Sequence, residues 1–346
     1  MQKKTYYFIG LGLAFSTSSF AQDADLRTDA MDYFEPISTE AVKLDGNEAT
    51  PAKVELGKML YFEKRLSKSQ TISCNSCHNL STGGVDLGKG SVGHKWAIGG
   101  RNAPTVLNSA YNIAQFWDGR AATLADQAGG PPLNPIEMAN TVEGVEKTIR
   151  SIPGYKAYFK AAYPGASQPI TYENMTKAIA VFEATLNTPN SAFDKWLGGD
   201  DKALSASAKR GLRTFIDSGC VACHNGAAVG ANSFQLFGVM EDPSEAVRPA
   251  ADKGLSAVSG DEADDYLFKV PTLRNIALTA PYFHSGETWA LSDAVDIMAR
   301  TQLGVEFSKA ELADVVAFMG SLTGDQPKVV YPVLPPSVAA TPRPQP

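Results

Sequence analysis

Only four cysteines and four histidines occur in the 346 residues. Four thiols are too few to staple a chain of this length, which excludes a disulfide-framed scaffold. No apolar stretch approaches the roughly 20 residues needed to cross a bilayer, so no membrane span is expected. No basic tract is present, and no nucleic-acid partner is expected. Strand signals are weak as well. With 44% hydrophobic and 20% charged residues, the chain is not disordered and can build one large or two medium domains. Gly 30 and Pro 21 imply long ordered loops among the helices.

The N-terminus has the character of an export leader. Lys3 and Lys4 precede an apolar run from Tyr6 to Phe15, and Ser19, Phe20 and Ala21 supply small residues at −3 and −1. Cleavage is expected after Ala21, which moves the formal charge from −6 to −8 by removing two lysines and no acids. An acidic surface can steer a cationic or strongly dipolar partner, although the same charge also serves solubility.

Shifting the sequence by 167 residues reveals a repeat. Pro104, Thr105, Asn108, Ala110, Phe116, Gly119, Leu124 and Asp126 recur as Pro271, Thr272, Asn275, Ala277, Phe283, Gly286, Leu291 and Asp293, eight matches in 23 positions. The two Cys-x-x-Cys-His strings lie 146 apart, so the second copy carries 21 extra residues, placed in the acidic stretch around Glu241 to Asp265. Two copies of one unit imply two related domains meeting at an interface. The expected division is a leader over 1–21, a first unit over 22–187, a second over 188–325, and a Pro-rich extension over 326–346, extended or loosely attached.

Helical periodicity dominates. Met175, Ala178, Ile179, Phe182 and Leu186 share one face, as do Leu312, Val315, Val316 and Met319. Ser308 and Glu311 form a capping box for the latter, and Gly324 is its expected stop. Val54–Leu66 and Ala206–Asp217 also read as helices, each running toward a cysteine string. The fold class is therefore mainly α.

Cys74-Asn75-Ser76-Cys77-His78 and Cys220-Val221-Ala222-Cys223-His224 match the attachment signature of c-type haem. Two thiols three residues apart on a helical turn can form thioethers to the two haem vinyl groups, leaving the next histidine to bind iron. A zinc ribbon wants its cysteine pairs roughly 15–20 residues apart. A dithiol of the thioredoxin kind explains neither the histidines nor the duplication. Two covalently bound haem c groups are expected.

The sixth iron ligand separates a carrier from a catalyst. The remaining histidines are His94 and His284. His94 lies in a segment with seven glycines among residues 83–100, permissive enough to move. It is either a removable cap on the first iron or a solvent-facing loop histidine. Met298 shares a helical face with Val295 and Leu291. It is either a core methionine or a soft thioether ligand that raises the potential of the second iron.

At this point the chain resembles the bacterial di-haem cytochrome c peroxidases over nearly all of its mature length. The resemblance rests on Gly93-His94-Lys95, Gly99-Gly100-Arg101-Asn102-Ala103-Pro104-Thr105, Gln115-Phe116-Trp117-Asp118-Gly119-Arg120, Asn134-Pro135-Ile136-Glu137-Met138, and Val270-Pro271-Thr272-Leu273-Arg274-Asn275 through Pro281-Tyr282-Phe283-His284. No motif position departs from the family pattern. Related proteins that mature a quinone cofactor carry tyrosine at the position of Met298. None occurs here between Tyr282 and Tyr331, which speaks against that branch.

The resemblance implies two cytochrome c-like haem domains, the first low-potential and peroxide-reacting, the second high-potential and electron-receiving. His78 and His94 would hold the first iron, and His224 and Met298 the second. It assigns Glu137 as the acid–base carboxylate, Gln127 as the amide that orients peroxide, and Trp117 as the aromatic residue between the haems. It places a calcium ion on the Asn102 side chain and the Thr279 and Pro281 carbonyls. Together with the leader, it implies a periplasmic homodimer that reduces hydrogen peroxide to water with electrons from a small cytochrome c or cupredoxin. The competing expectation is a di-haem electron carrier or redox sensor without turnover.

Overall fold

The computed structural model describes residues 25–346, so the leader lies outside the described residues. The chain is mainly helical. Its principal helices are α1 (Pro51–Tyr61), α2 (Leu124–Gly129), α3 (Val142–Arg150), α4 (Tyr155–Ala162), α5 (Tyr172–Glu183), α6 (Ala192–Leu197), α7 (Ala206–Asp217), α8 (Leu291–Met298) and α9 (Lys309–Gly320). Among the described residues strand is confined to an antiparallel pair, β1 (Phe234–Leu236) with β2 (Leu267–Lys269), and isolated bridges. The pair closes the neck of the acidic insertion. Among the described residues no helix is long and apolar enough to cross a membrane.

Each half has its own core. The first gathers Leu56, Leu60, Ile149, Phe159, Ala178 and Phe182. The second gathers Phe193, Trp196, Leu212, Phe215, Val315 and Phe318. In both, a glycine lets two helices cross at backbone distance. A Cβ on Gly57 of α1 would lie 1.9 Å from the Ala178 carbonyl oxygen of α5, and one on Gly211 of α7 would lie 1.9 Å from that of Asp314 in α9. Thr50, Thr171, Ser205 and Ser308 cap these four helices, each hydroxyl accepting from a first-turn N–H.

The repeat is a structural one. Asn108 and Asn275 both adopt positive φ (59° and 61°), as do Phe116 and Phe283 (67° and 66°). The bridges Gln115–Ala121 and Tyr282–Thr288 occupy matching positions. Both asparagine side chains donate to Thr188 Oγ1, at 2.7 and 2.8 Å, so the copies share one bonded point where the first unit gives way to the second.

The structure refines several expectations. Helix α1 starts at Pro51 and stops at Tyr61, short of Leu66. The Glu63 carboxylate accepts from the Arg65 backbone and pulls residues 64–66 into a separate tight turn. Helix α9 has the expected capping box but ends at Gly320. Gly324 instead lies against Thr188, where a Cβ would sit 1.9 Å from the carbonyl oxygen.

The ends of the chain are exchanged. Leu26, Ala30 and Phe34, from the helix at 25–31 and its exit, pack in the second core, with the Phe34 and Phe193 rings 5.3 Å apart. The Pro-rich extension is extended but firmly attached to the first unit. Tyr331 stacks edge-on against Phe62 at 5.1 Å, Arg65 donates to the Pro335 carbonyl, Gln70 donates to that of Pro342, and Gln345 N–H donates to the Lys68 carbonyl.

The helix crossings generate a test. Gly57→Ala or Gly211→Ala must push a backbone carbonyl aside, an overpacking cost of about 2–3 kcal/mol. Thermal melts are expected to show the first unfolding transition lowered by roughly 5–10 °C. An unchanged melt would mean that the helices do not cross at this distance.

Candidate functional site

Two deep cavities, one per unit, each take in a cysteine string. Cys74, Cys77 and His78 line the first with Phe116, Gln127 and Glu137. Cys220, Cys223 and His224 line the second with Met298, Val295 and Leu291. Asn102, Ala103, Pro104, Thr105, Asn112, Trp117 and Lys269 border both, so the cavities are separated by a single layer of residues.

The four cysteines form no disulfide. Burial pushes the Cys77 thiol up to about 11 and Cys220 to about 12, and raises Cys74 and Cys223 as well. Thiols so placed are poor thiolates, unlike the reactive pair of a redox dithiol. They face apolar space large enough for a flat macrocycle. Burial lowers His78 and lowers His224 to about 4, so both imidazoles are neutral. His78 Nδ1 lies 2.9 Å from the Pro104 carbonyl. A proton there is shared with that carbonyl and leaves Nε2 free to ligate iron. The donor set therefore suits a covalently attached haem in each cavity. Among the described residues no three His, Cys, Asp or Glu side chains cluster as a metal site.

Helix α2 opens with a capping box of Thr123 and Asp126, which sets the turn carrying Gln127 on the first cavity wall. Glu137 follows the Asn134-Pro135 turn. Its Oε1 accepts from Asn134 Nδ2 at 2.7 Å. Burial raises its pKa, while Arg120 and the Asn134 bond oppose the rise.

His94 is buried but does not line the first cavity. Its N–H donates to the Glu137 carbonyl at 2.8 Å, and its Nδ1 has no partner. Gly93 lies so close to this turn that a Cβ would be 1.9 Å from the Ile136 carbonyl oxygen. Lys95 and Trp96 hold left-handed φ values of 55° and 63°, and the Trp96 side chain is 85% exposed. The structure thus brings Glu137 and Gln127 together in the first cavity, with the His94 loop packed behind Glu137.

Met298 and His224 share the second cavity. Met298 ends α8, and the helix widens into a π-turn over Ala299–Leu303 immediately after it, a distortion common at functional positions. Trp117 donates from Nε1 to the Asn102 carbonyl at 2.9 Å, and its ring lies 6.2 Å from that of His284. Asn102, Thr279 and Pro281 all border the second cavity. Asn102 Nδ2 donates to the Gly88 carbonyl at 2.7 Å.

Known proteins place this architecture. Residues 51–202 match the family model of di-haem cytochrome c peroxidase, and residues 208–323 match that of cytochrome c. The chain is 49% identical over 332 residues to the cytochrome c551 peroxidase of Pseudomonas aeruginosa, covering 96% of each. The chain belongs to the di-haem cytochrome c peroxidase family. It is also 56% identical to the cytochrome c551 peroxidase of Nitrosomonas europaea over 84% of this chain and 86% of that one. The methylamine utilization protein MauG of Methylorubrum extorquens is 35% identical, over 84% of this chain and 83% of that one. A solved MauG-like protein associated with microbial copper homeostasis superposes with a TM-score of 0.74 at 28% identity, covering 84% of this chain and 94% of that one. Family membership carries two haem c groups.

Two buried charged residues on the cavity walls escaped the sequence reading. Glu183 ends α5 facing the first cavity. Burial pushes its carboxyl up to about 8, and its Oε2 has no partner. Lys269 lies on β2, only 5% exposed. The available signal was a lone charge closing an apolar stretch in each case, Val181-Phe182-Glu183 and Leu267-Phe268-Lys269.

Replacing Cys220 and Cys223 together by alanine is expected to leave one covalently held haem per chain instead of two, read from intact mass and haemochrome absorbance. Two remaining haems would refute the assignment of the second string.

Proposed function

We propose that this chain is a periplasmic enzyme that reduces hydrogen peroxide to two waters, consuming two protons and two electrons from a small cytochrome c or cupredoxin. The observation that carries this reading is the shared placement of Gln127 and Glu137 on the wall of the His78 cavity, with His94 off it. A permanently six-coordinate carrier needs neither an open cavity nor a carboxylate within it.

When bound, the two haems supply the irons that exchange electrons with the donor and with peroxide. The chain supplies the rest. Gln127, a neutral amide, orients peroxide by hydrogen bonding without competing for its proton. Glu137 removes a proton from one peroxide oxygen and returns it to the departing one, so a single carboxylate serves both halves of O–O cleavage. Its raised pKa suits this exchange, and the Asn134 amide fixes the oxygen that does not move the proton. His224 and Met298 would hold the electron-entry iron, and Trp117, set between the cavities, would be the route inward. His94, on the loop packed beside Glu137, would be the residue to hold the first iron at rest and to release it for peroxide.

Three further features belong to this reading. Calcium is held by the Asn102 amide oxygen and the Thr279 and Pro281 carbonyls. Hard oxygen donors suit it, and the Asn102 amide nitrogen is already engaged with Gly88, which leaves that oxygen free. A homodimer covers Val92, Trp96 and Ile98, apolar side chains exposed on the His94 loop. The leader directs the chain to the periplasm, where the acidic surface favours a basic donor.

Glu137→Ala is expected to lower turnover by about 10²–10⁴ while the haem spectra persist. The wild-type rate should fall as pH drops through the raised Glu137 pKa, because the carboxylate form is the base. Half-reduced protein is expected to show one five-coordinate haem. Unchanged turnover in the variant, or six-coordinate irons at every oxidation level, would instead support the electron carrier.

A further inference from the structure

Lys269 is a buried cation without an anion. It ends β2, and its N–H donates to the Trp117 carbonyl at 2.9 Å. It borders both cavities, yet among the described residues its ammonium makes no hydrogen bond or ion pair. Three carboxylates of the junction and the insertion are engaged elsewhere. Asp252 takes two bonds from Arg101, at 2.7 and 2.6 Å. Asp118 takes a bond from Arg101 at 2.5 Å and two from Arg120. Asp265 is held by Lys253 at 2.8 Å. Burial without compensation pushes the Lys269 pKa down to about 8, which shows how poorly the protein alone tolerates the charge.

The cavities are where a compensating anion would enter. Each c-type haem has two propionates, on the side of the macrocycle away from the vinyls that the cysteines take. Lysine in such a position has a chemical reason, since a compact ammonium can serve carboxylates on either side of a one-residue wall. We infer that Lys269 is a haem-binding residue whose ammonium pairs with a haem carboxylate at the junction of the two cavities. It belongs to the second unit but reaches the first unit's cavity, so it ties the macrocycle edges to the Trp117 layer. By offsetting carboxylate charge it favours the reduced state of the haem it serves. The inference rests on two bound haems and not on peroxide turnover.

The test uses the full-length di-haem protein with Lys269→Gln, Lys269→Met and Lys269→Arg. Optical redox titration follows each haem, and resonance Raman follows the propionate bending bands. Both neutral variants are expected to disfavour reduction of at least one haem by about tenfold, equivalent to ~59 mV for one electron, and to shift a propionate band. Lys269→Arg should keep the potentials within about threefold of wild type. Unchanged potentials and bands in a neutral variant carrying two haems would overturn the inference. Should the neutral variants fail to assemble, the wild type decides. Its propionate band is expected to shift in D2O, where the lysine proton is exchanged, and a band unmoved in D2O would likewise overturn the inference. Neither readout uses peroxide, so loss of turnover alone bears only on the proposed enzymatic function.

Discussion

Trp117 is held from both sides of the molecule. Its indole N–H donates to the Asn102 carbonyl in the first unit, and its own carbonyl accepts the Lys269 N–H from the second. These two bonds fix the layer between the cavities at one residue's thickness. Removing either would leave a backbone group unpaired at the centre of the protein, a cost of about 1–3 kcal/mol, and would loosen the spacing of the two cavities. Around this layer the charged groups close on one another. Arg101 of the first unit spans Asp118 of its own unit and Asp252 of the acidic insertion. The 21 residues that distinguish the second copy thus supply an anchor for the loop that carries Asn102.

The exchange of chain ends reinforces the same interface from outside. A segment leading into the first unit fills a gap in the second core through Phe34, and the extension leaving the second unit lies along the first through Tyr331 and Pro335. Separating the units would expose both. Each crossing segment makes its docking contacts on the other unit, so much of its conformational entropy is lost when the two halves assemble. The units therefore support each other's surfaces beyond what two independent cytochrome-like domains would need.

Much of this was legible because it is local or repeated. The two cysteine strings announce their chemistry by spacing alone. The 167-residue repeat reappears as matched backbone conformations at Asn108 and Asn275 and at Phe116 and Phe283, since a residue forced into positive φ keeps that role in both copies. The capping box at Ser308 and Glu311 was readable for the same reason. What could not be read depends on distant partners. Gly324 marks no helix end because Thr188 claims the space beside it. The docked extension could not be recognised from composition, since proline-rich stretches look alike whether free or bound. Lys269 and Glu183 are single charges whose significance comes only from the cavities beside them.

The His94 loop carries local constraints that the proposed removable cap would draw on. Lys95 and Trp96 lie in the left-handed region, at a cost of about 1 kcal/mol or more each for non-glycine residues, and Trp96 leaves most of its apolar surface in water. At His94 itself the loop is held by the bond from its N–H to the Glu137 carbonyl and by the contact of Gly93 with Ile136. Both fall on the turn that aims the Glu137 side chain at the cavity. A loop movement that carried His94 toward the first iron would have to break that bond and free that turn. Relief of backbone strain would favour the movement, while loss of the Glu137 contact would oppose it. Opposing terms of similar size are what a two-state element requires. Under the proposed function, capping the iron and disarming the carboxylate would then be one motion, and a cavity open to peroxide would be one in which Glu137 is held ready for it.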